Sequence, residues 1–189
     1  MPGLMDWTAI VPIKQGDTSK SRLAGLLDPT ERKRLSARMA AHVIEVLGKC
    51  EHVRETVILS PEPLGGWLGE WAADRGRGLN AELAAWRNGF GTAPLLVIHA
   101  DLPLLSLLDL DVLLTRAKAV GAALATDRAG GGTNALALAD GRRLNFCFGP
   151  DSRLLHESQG VTVLNSPGIA ADLDTPQDLI FARSGGFVA

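Results

Sequence analysis

The sequence predicts an α/β fold, a mainly parallel sheet with helices covering both faces. Three observations carry that expectation. Apolar runs alternate with amphipathic segments through the first two-thirds of the chain, the pattern of βαβ units. Residues 94–100 are apolar almost throughout, as a central strand buried on both faces must be. The chain has 189 residues, 46% hydrophobic and 21% charged, which suits one domain spanning 1–189. A domain of that size buries roughly two-thirds of its unfolded surface and needs no disulfide or structural metal to fold.

Taken in order, residues 7–13 read as a short buried strand that ends at the polar stretch 14–21. Asp28-Pro29-Thr30-Glu31 is a helix start, with Asp28 as cap, Pro29 at the first turn and Glu31 closing a capping box. That helix places Leu35, Met39, Val43 and Val46 on one face, and Gly48 is expected to end it. Residues 55–60 form the second strand. Residues 61–77 are ambiguous, with four glycines and with Trp67 and Trp71 at helical spacing. A helix at 79–90, a strand at 94–100 and a helix at 106–120 follow. Residues 122–126 and 134–139 read as strands around a glycine-rich loop, with antiparallel pairing open to them because their connections are short. A short helix at 151–159, a strand at 161–164 and a helix at 175–183 complete the chain, and the tail from Ser184 is expected to be loose.

Composition limits function. The formal net charge of −2 argues against a bulk nucleic-acid footprint. No stretch reaches the ~18 apolar residues that span a bilayer, so no membrane partner is expected. The N-terminal residues carry no charged segment followed by an apolar run, so no signal peptide is expected and the cytoplasm is the default location. Cys50 and Cys147 are widely separated and read as reduced thiols. His42, His52 and His156 are scattered and suggest no zinc site.

Four segments can carry chemistry. Lys14, Lys20 and Arg22 follow the first strand, among Gly16, Thr18, Ser19 and Ser21. Ligands of open α/β sheets bind outside the carboxyl ends of strands, where small residues let backbone N–H groups approach phosphate and cations offset its charge. From spacing alone, an idle basic loop fits equally well. His99-Ala100-Asp101-Leu102-Pro103 puts a carboxylate just past a buried strand, an expensive placement unless it is hydrogen-bonded or metal-bound. Oxygen ligands of this kind suit Mg²⁺. The alternative is an Asp capping the next turn, and His99 reads as structural. In Asp172-Leu173-Asp174-Thr175-Pro176, Asp174 suits a helix cap, which would turn Asp172 towards the metal. Gly130-Gly131-Gly132-Thr133-Asn134 and Phe148-Gly149-Pro150-Asp151-Ser152 permit close backbone approach to an anion, against the alternative of loose turns.

Together and in this order the segments resemble a known family, the 2-phospho-L-lactate guanylyltransferases, also called phosphoenolpyruvate guanylyltransferases, of coenzyme F420 biosynthesis. The matching pieces are Val11-Pro12-Ile13-Lys14 with Ser19-Lys20-Ser21-Arg22-Leu23-Ala24, Leu26 to Arg32, Gly78-Leu79-Asn80-Ala81, Ala100 to Pro103, Gly132 to Leu136, Phe148-Gly149 with Ser152, and Asp172 with Asp174-Thr175-Pro176. They span nearly the whole chain. Asp-Leu-Pro is shared with a wider superfamily that includes molybdopterin guanylyltransferase. The resemblance implies a single-domain, Rossmann-like fold of the nucleotide-diphospho-sugar-transferase type. It implies that Lys14, Lys20 and Arg22 hold the triphosphate of GTP, with Pro12 and Ser21 beside them, and that Gly78, Leu79 and Asn80 lie by the guanine or ribose. Asp101 would bind Mg²⁺, with Asp174 or Asp172 as partner. Thr133, Asn134, Gly149 and Ser152 would hold a small phosphorylated acid: 2-phospho-L-lactate, phosphoenolpyruvate or 3-phosphoglycerate. Oligomeric state is not legible, a homodimer being one option.

Two departures from the family pattern stand out. Where a strand and an acidic turn are expected before Gly78, this chain is rich in Trp and Gly and carries the basic Asp74-Arg75-Gly76-Arg77. Its acceptor loop reads Asp127-Arg128-Ala129-Gly130. The competing functions are another nucleotidyltransferase, acting on molybdopterin or a sugar phosphate, and a catalytically silent nucleotide-binding module.

Overall fold

The computed structural model describes residues 6–15 and 20–188. Strand β1 (Trp7–Pro12) runs through the middle, with Trp7 to Val11 buried. β2 (Val53–Ser60) and β4 (Leu95–Ile98) flank it in parallel, and β3 (Glu70–Ala73) lies parallel outside β2. β6 (Ala135–Leu138) pairs antiparallel with β4 and with β5 (Ala122–Ala125), and β7 (Thr162–Leu164) runs parallel to β5 at the far edge. The spatial order is β3-β2-β1-β4-β6-β5-β7. It is the mostly parallel, helix-covered sheet expected from the alternation, with antiparallel pairing at the later strands.

Successive residues of β1 point to opposite faces, so one strand feeds two cores. Ala9 and Val11 join Ile58 and Ile98 under helices α1 (Pro29–Lys49) and α3 (Leu107–Val120). Ile10 joins Leu59, Val97, Phe146 and Phe148 under α2 (Leu79–Phe90). A smaller cluster ties Leu23 to Leu35 and Met39 of α1 and to Leu173 and Leu179. Leu23 is fully buried and ends a 3-10 turn, Ser21–Leu23. It anchors the basic segment at its far end. The remaining helices are α4 (Ser152–Glu157), α5 (Pro167–Ala170) and α6 (Pro176–Ser184).

Three local expectations are corrected. Helix α1 passes Gly48 and ends at Cys50, whose N–H donates to the Leu47 carbonyl; Leu47, not Val46, takes the buried position on that face. Trp67 and Trp71 do not share a helix: Trp71 lies on β3, paired with Ile58, so the expected strand is present in the Trp- and Gly-rich segment. The tail is tied down. Phe187 N–H donates to Ala182 O, its ring packs against the Leu23 cluster, and Arg38 donates to Val188 O. Both cysteines are free. Among the described residues no helix is long and apolar enough to cross a membrane.

Candidate active site

The sheet order reverses direction between β1 and β4, the place where open α/β sheets form a ligand crevice. The chain leaves β1 at Pro12 and leaves β4 at His99, so the basic segment and Asp101 emerge side by side. Leu173 N–H donates to the Asp101 carbonyl at 3.1 Å, which draws the Asp172–Asp174 segment to the same edge. Lys20 fills the gap. Its Nζ donates to Asp101 Oδ2 at 2.5 Å and to Asp174 Oδ1 at 2.7 Å. The Lys20 backbone is left-handed, with φ 55° and ψ 40°, a conformation that costs a non-glycine residue on the order of 1 kcal/mol. Leu23 is buried three residues later, and the two carboxylates hold the side chain.

The electrostatics follow from that arrangement. Burial pulls the Lys20 ammonium towards neutrality, but Asp101 and Asp174 outweigh it and raise its pKa. Burial pushes the Asp101 carboxyl up, and Lys20 beside it holds it below the ordinary range. Two carboxylates thus converge on one ammonium group. Asp101 Oδ1 is buried with no hydrogen-bond partner among the described residues. An orphaned carboxylate oxygen beside a second carboxylate is the donor chemistry that Mg²⁺ takes, with one or two carboxylates completed by substrate phosphates. No group of three or more metal-ligating side chains is present among the described residues. The residues therefore fit a substrate-completed site and not a closed protein cage.

Asp172 and Asp174 have different partners, and the helix cap separates them. Thr175 caps α6: its side chain accepts from Asp178 N–H and Asp178 reciprocates. Asp174 is therefore released from capping and faces Lys20. Asp172 turns to Asn134, whose Nδ2 donates to Asp172 Oδ1 at 3.1 Å and to the Ile169 carbonyl at 2.9 Å. Burial pushes the Asp172 carboxyl up to about 6. Asn134, expected at the acceptor, spends its side-chain donor on fastening this segment. Burial lowers the His99 pKa, its ring tilts against Phe148 with centroids 5.6 Å apart, and its Nε2 is buried without a partner among the described residues.

On the α4 side the glycine run is ordered by Asp127. Its Oδ1 accepts from Gly131 N–H at 2.9 Å, and a Cβ at Gly132 would come within 2.7 Å of Asp127 Oδ2. Arg153 N–H donates to the Gly131 carbonyl, joining the loop to α4. Gly149 has φ 122°, which an L side chain rarely adopts. Thr133 and Ser152, 2% and 1% exposed, sit in this wall. Asn80 is also here. Its Nδ2 donates to the Phe148 carbonyl at 3.0 Å, and its Oδ1 accepts from Phe148 N–H at 2.7 Å. Asn80, expected by the guanine or ribose, clamps the segment that carries Gly149 with its side chain.

Gly78 caps α2 at φ 90°, and Leu79 packs against the core behind it. The basic turn before it wraps a buried carboxylate. Glu82 Oε1 accepts from the N–H groups of Arg75 and Arg77, and Glu82 Oε2 takes the Arg77 guanidinium at 2.6 Å. The Arg77 side chain lowers the Glu82 pKa to about 2. Beside this turn a cavity of about 450 Å³ opens between Trp71, Ala73, Arg75 and Trp86.

The structure thus brings Lys20, Asp101 and Asp174 together and sets Thr133, Gly149 and Ser152 along the α4 wall. Lys14, Ser21 and Arg22 are exposed, and Pro12 is half-buried. Gly16, Thr18 and Ser19 lie outside the described residues. Sequence reasoning missed Glu82 and gave His156 no role. The Thr175-x-x-Asp178 capping box was readable.

Comparison with known proteins shows the family and the fold. A family model described as guanylyl transferase CofC like matches residues 7–182. The chain is 35% identical to a phosphoenolpyruvate guanylyltransferase of Sphaerobacter thermophilus, covering 93% of this chain and 91% of that one. It is 37% identical to the enzyme of that name from Nocardia farcinica, covering 90% and 82%. Among solved structures it superposes on a protein described as a nucleotide-diphospho-sugar transferase from Desulfovibrio desulfuricans, with TM-score 0.73, 16% identity and coverage of 95% and 87%. A nucleotidyl transferase from Methanothermobacter gives TM-score 0.65 at 17% identity, covering 96% and 97%.

Proposed function

The chain belongs to the CofC-like guanylyl transferase family, and from that premise we propose that it transfers GMP from GTP to a small phosphorylated acid, with release of pyrophosphate, in coenzyme F420 biosynthesis. The observation that carries the reading is the convergence of Asp101 and Asp174 on a single cation at the crevice between β1 and β4. A phosphate oxygen of the acceptor attacks the α-phosphorus of GTP. A new P–O bond forms as the bond from the α-phosphorus to the bridging oxygen breaks, and pyrophosphate leaves with that oxygen. The acceptor is already a nucleophile, so no covalent enzyme intermediate is needed.

The work of the protein is to hold two anions that repel each other and to offset the charge that builds in transfer. Lys14, Lys20 and Arg22 are assigned to the triphosphate and the departing pyrophosphate. Pro12 and Ser21 line the approach, and Gly78 and Leu79 present backbone beside the nucleoside. Thr133, Gly149 and Ser152 receive the acid. Asp101 and Asp174 would hold Mg²⁺, which supplies charge neutralisation at the α-phosphate and the incoming oxygen. Phosphoenolpyruvate heads the candidate acceptors because the curated relatives carry its name. The test is mass spectrometry of products from GTP and other triphosphates with phosphoenolpyruvate, 2-phospho-L-lactate and 3-phosphoglycerate. The reading expects a guanylylated acid and one pyrophosphate per turnover. Thermal stabilisation by GTP with no pyrophosphate from any acid would mark a silent binder and end the proposal.

A further inference from the structure

One buried histidine stands behind the acceptor wall with no part in the mechanism above. His156, on α4, is fully buried. Its two ring nitrogens have different partners. Nε2 lies 3.0 Å from the backbone N–H of Cys147, which can only donate, so Nε2 carries no proton and accepts. Nδ1 lies 3.1 Å from Thr133 Oγ1. A neutral imidazole with an accepting Nε2 must carry its proton on Nδ1, and that proton faces Thr133 Oγ1, with the Ser152 carbonyl as its second acceptor. The ring is neutral because burial lowers its pKa to about 4, while the Ser152 carbonyl, one turn back, attracts a ring proton. Phe148 packs edge-on against the ring at 5.1 Å and completes its burial.

The consequence falls on Thr133. A hydroxyl that already accepts from a ring N–H cannot give its own proton back to that ring. We infer that His156 is a positioning residue for the acceptor: by donating Nδ1–H to Thr133 Oγ1 it commits the Thr133 hydroxyl proton to an anion in the site. The inference rests on the reading of Thr133 as an acceptor-binding residue. It also links that hydroxyl to the Gly149 loop, because the Cys147 N–H that fixes the tautomer lies two residues before Gly149.

The two amide variants of His156 separate the roles. In His156→Asn the amide nitrogen takes the place of Nδ1 and keeps the donor to Thr133. In His156→Gln the amide oxygen takes the place of Nε2 and keeps the acceptor for Cys147, but the donor to Thr133 is lost. Initial rates with phosphoenolpyruvate at saturating GTP should show an acceptor KM about tenfold higher in His156→Gln, the worth of a hydrogen bond to a charged group. KM for GTP should be unchanged, and His156→Asn should stay near the wild type. Thr133→Val should add nothing further in the His156→Gln background. Nitrogen NMR of the wild-type ring should show the Nδ1–H tautomer. An Nε2–H tautomer, equal acceptor KM values in the two variants, or additive effects with Thr133→Val would overturn the inference. A wild type that turns over none of the three acids would instead overturn the function on which it rests, and the NMR readout would still stand.

Discussion

At the ends of β1 and β4, Lys20 holds Asp101 and Asp174 through full charges, whereas on the α4 side Thr133, His156 and Cys147 hold one another with none. The charged trio ranges in side-chain exposure from 8% at Lys20 to 45% at Asp174, and under the proposed function Mg²⁺ and triphosphate are its alternative partners. In the neutral trio Thr133 and His156 are buried and Cys147 is half-buried, and each bond in it fixes the next. Under the proposed function the difference is a division of labour: ions that can exchange partners serve where charge must be neutralised during transfer, and a rigid array whose polarity is set in advance serves where a small acid is recognised.

The sharpest way to break the comparison is Asp101→Ala. It should lower turnover by on the order of a hundredfold or more, with circular dichroism and Tm showing an intact fold. Near-normal activity in Mg²⁺ would remove the charged side from the chemistry. Asn80→Ala comes next. It frees both backbone groups of Phe148 and should raise the acceptor KM by about tenfold while leaving the GTP KM in place. A rise in the GTP KM instead would return Asn80 to the nucleotide, where the family motif first put it. Gly149→Ala forces a side chain into φ 122° and should cost about 1–2 kcal/mol, a fall of a few degrees in Tm. The smallest effect is a pH dependence. The folded-state pKa of His156 is lowered from 6.5 to about 4, so the unfolded chain takes up a proton first as pH falls. Its contribution to stability is full above pH 6.5 and is lost as pH drops towards about 4. His156→Asn should flatten the fall in Tm across that window, and an unchanged slope would place the titration elsewhere.

Much of the fold was legible because burial imposes period and length. The run 94–100 could only be central, and Asp28-Pro29-Thr30-Glu31 caps α1 with its box complete. Gly48 misled because an exposed glycine is tolerated in a helix that tertiary contacts at Leu47 and Cys50 hold in place. Trp67 and Trp71 misled because spacing alone does not separate a helix from a loop entering an edge strand. At the site, the types of residue were legible and their partners were not. Asp174 read as a cap until Thr175 took that place. Asn80 and Asn134 read as ligand contacts, yet both spend their amides on backbone carbonyls, at Phe148 and Ile169, which only the folded chain brings near. His156 looked scattered because Thr133 is twenty-three residues away in sequence.

The central claim is transfer at the α-phosphorus with the acceptor phosphate as nucleophile. It is tested most directly by following GTP labelled at the α-phosphorus or at the γ-phosphorus, with phosphoenolpyruvate and Mg²⁺. The account predicts that the α label appears in the guanylylated acid and the γ label entirely in pyrophosphate, both absent with Asp101→Ala. Label from the γ position in the acid or in free phosphate would mean phosphoryl transfer or GTP hydrolysis, and would contradict it.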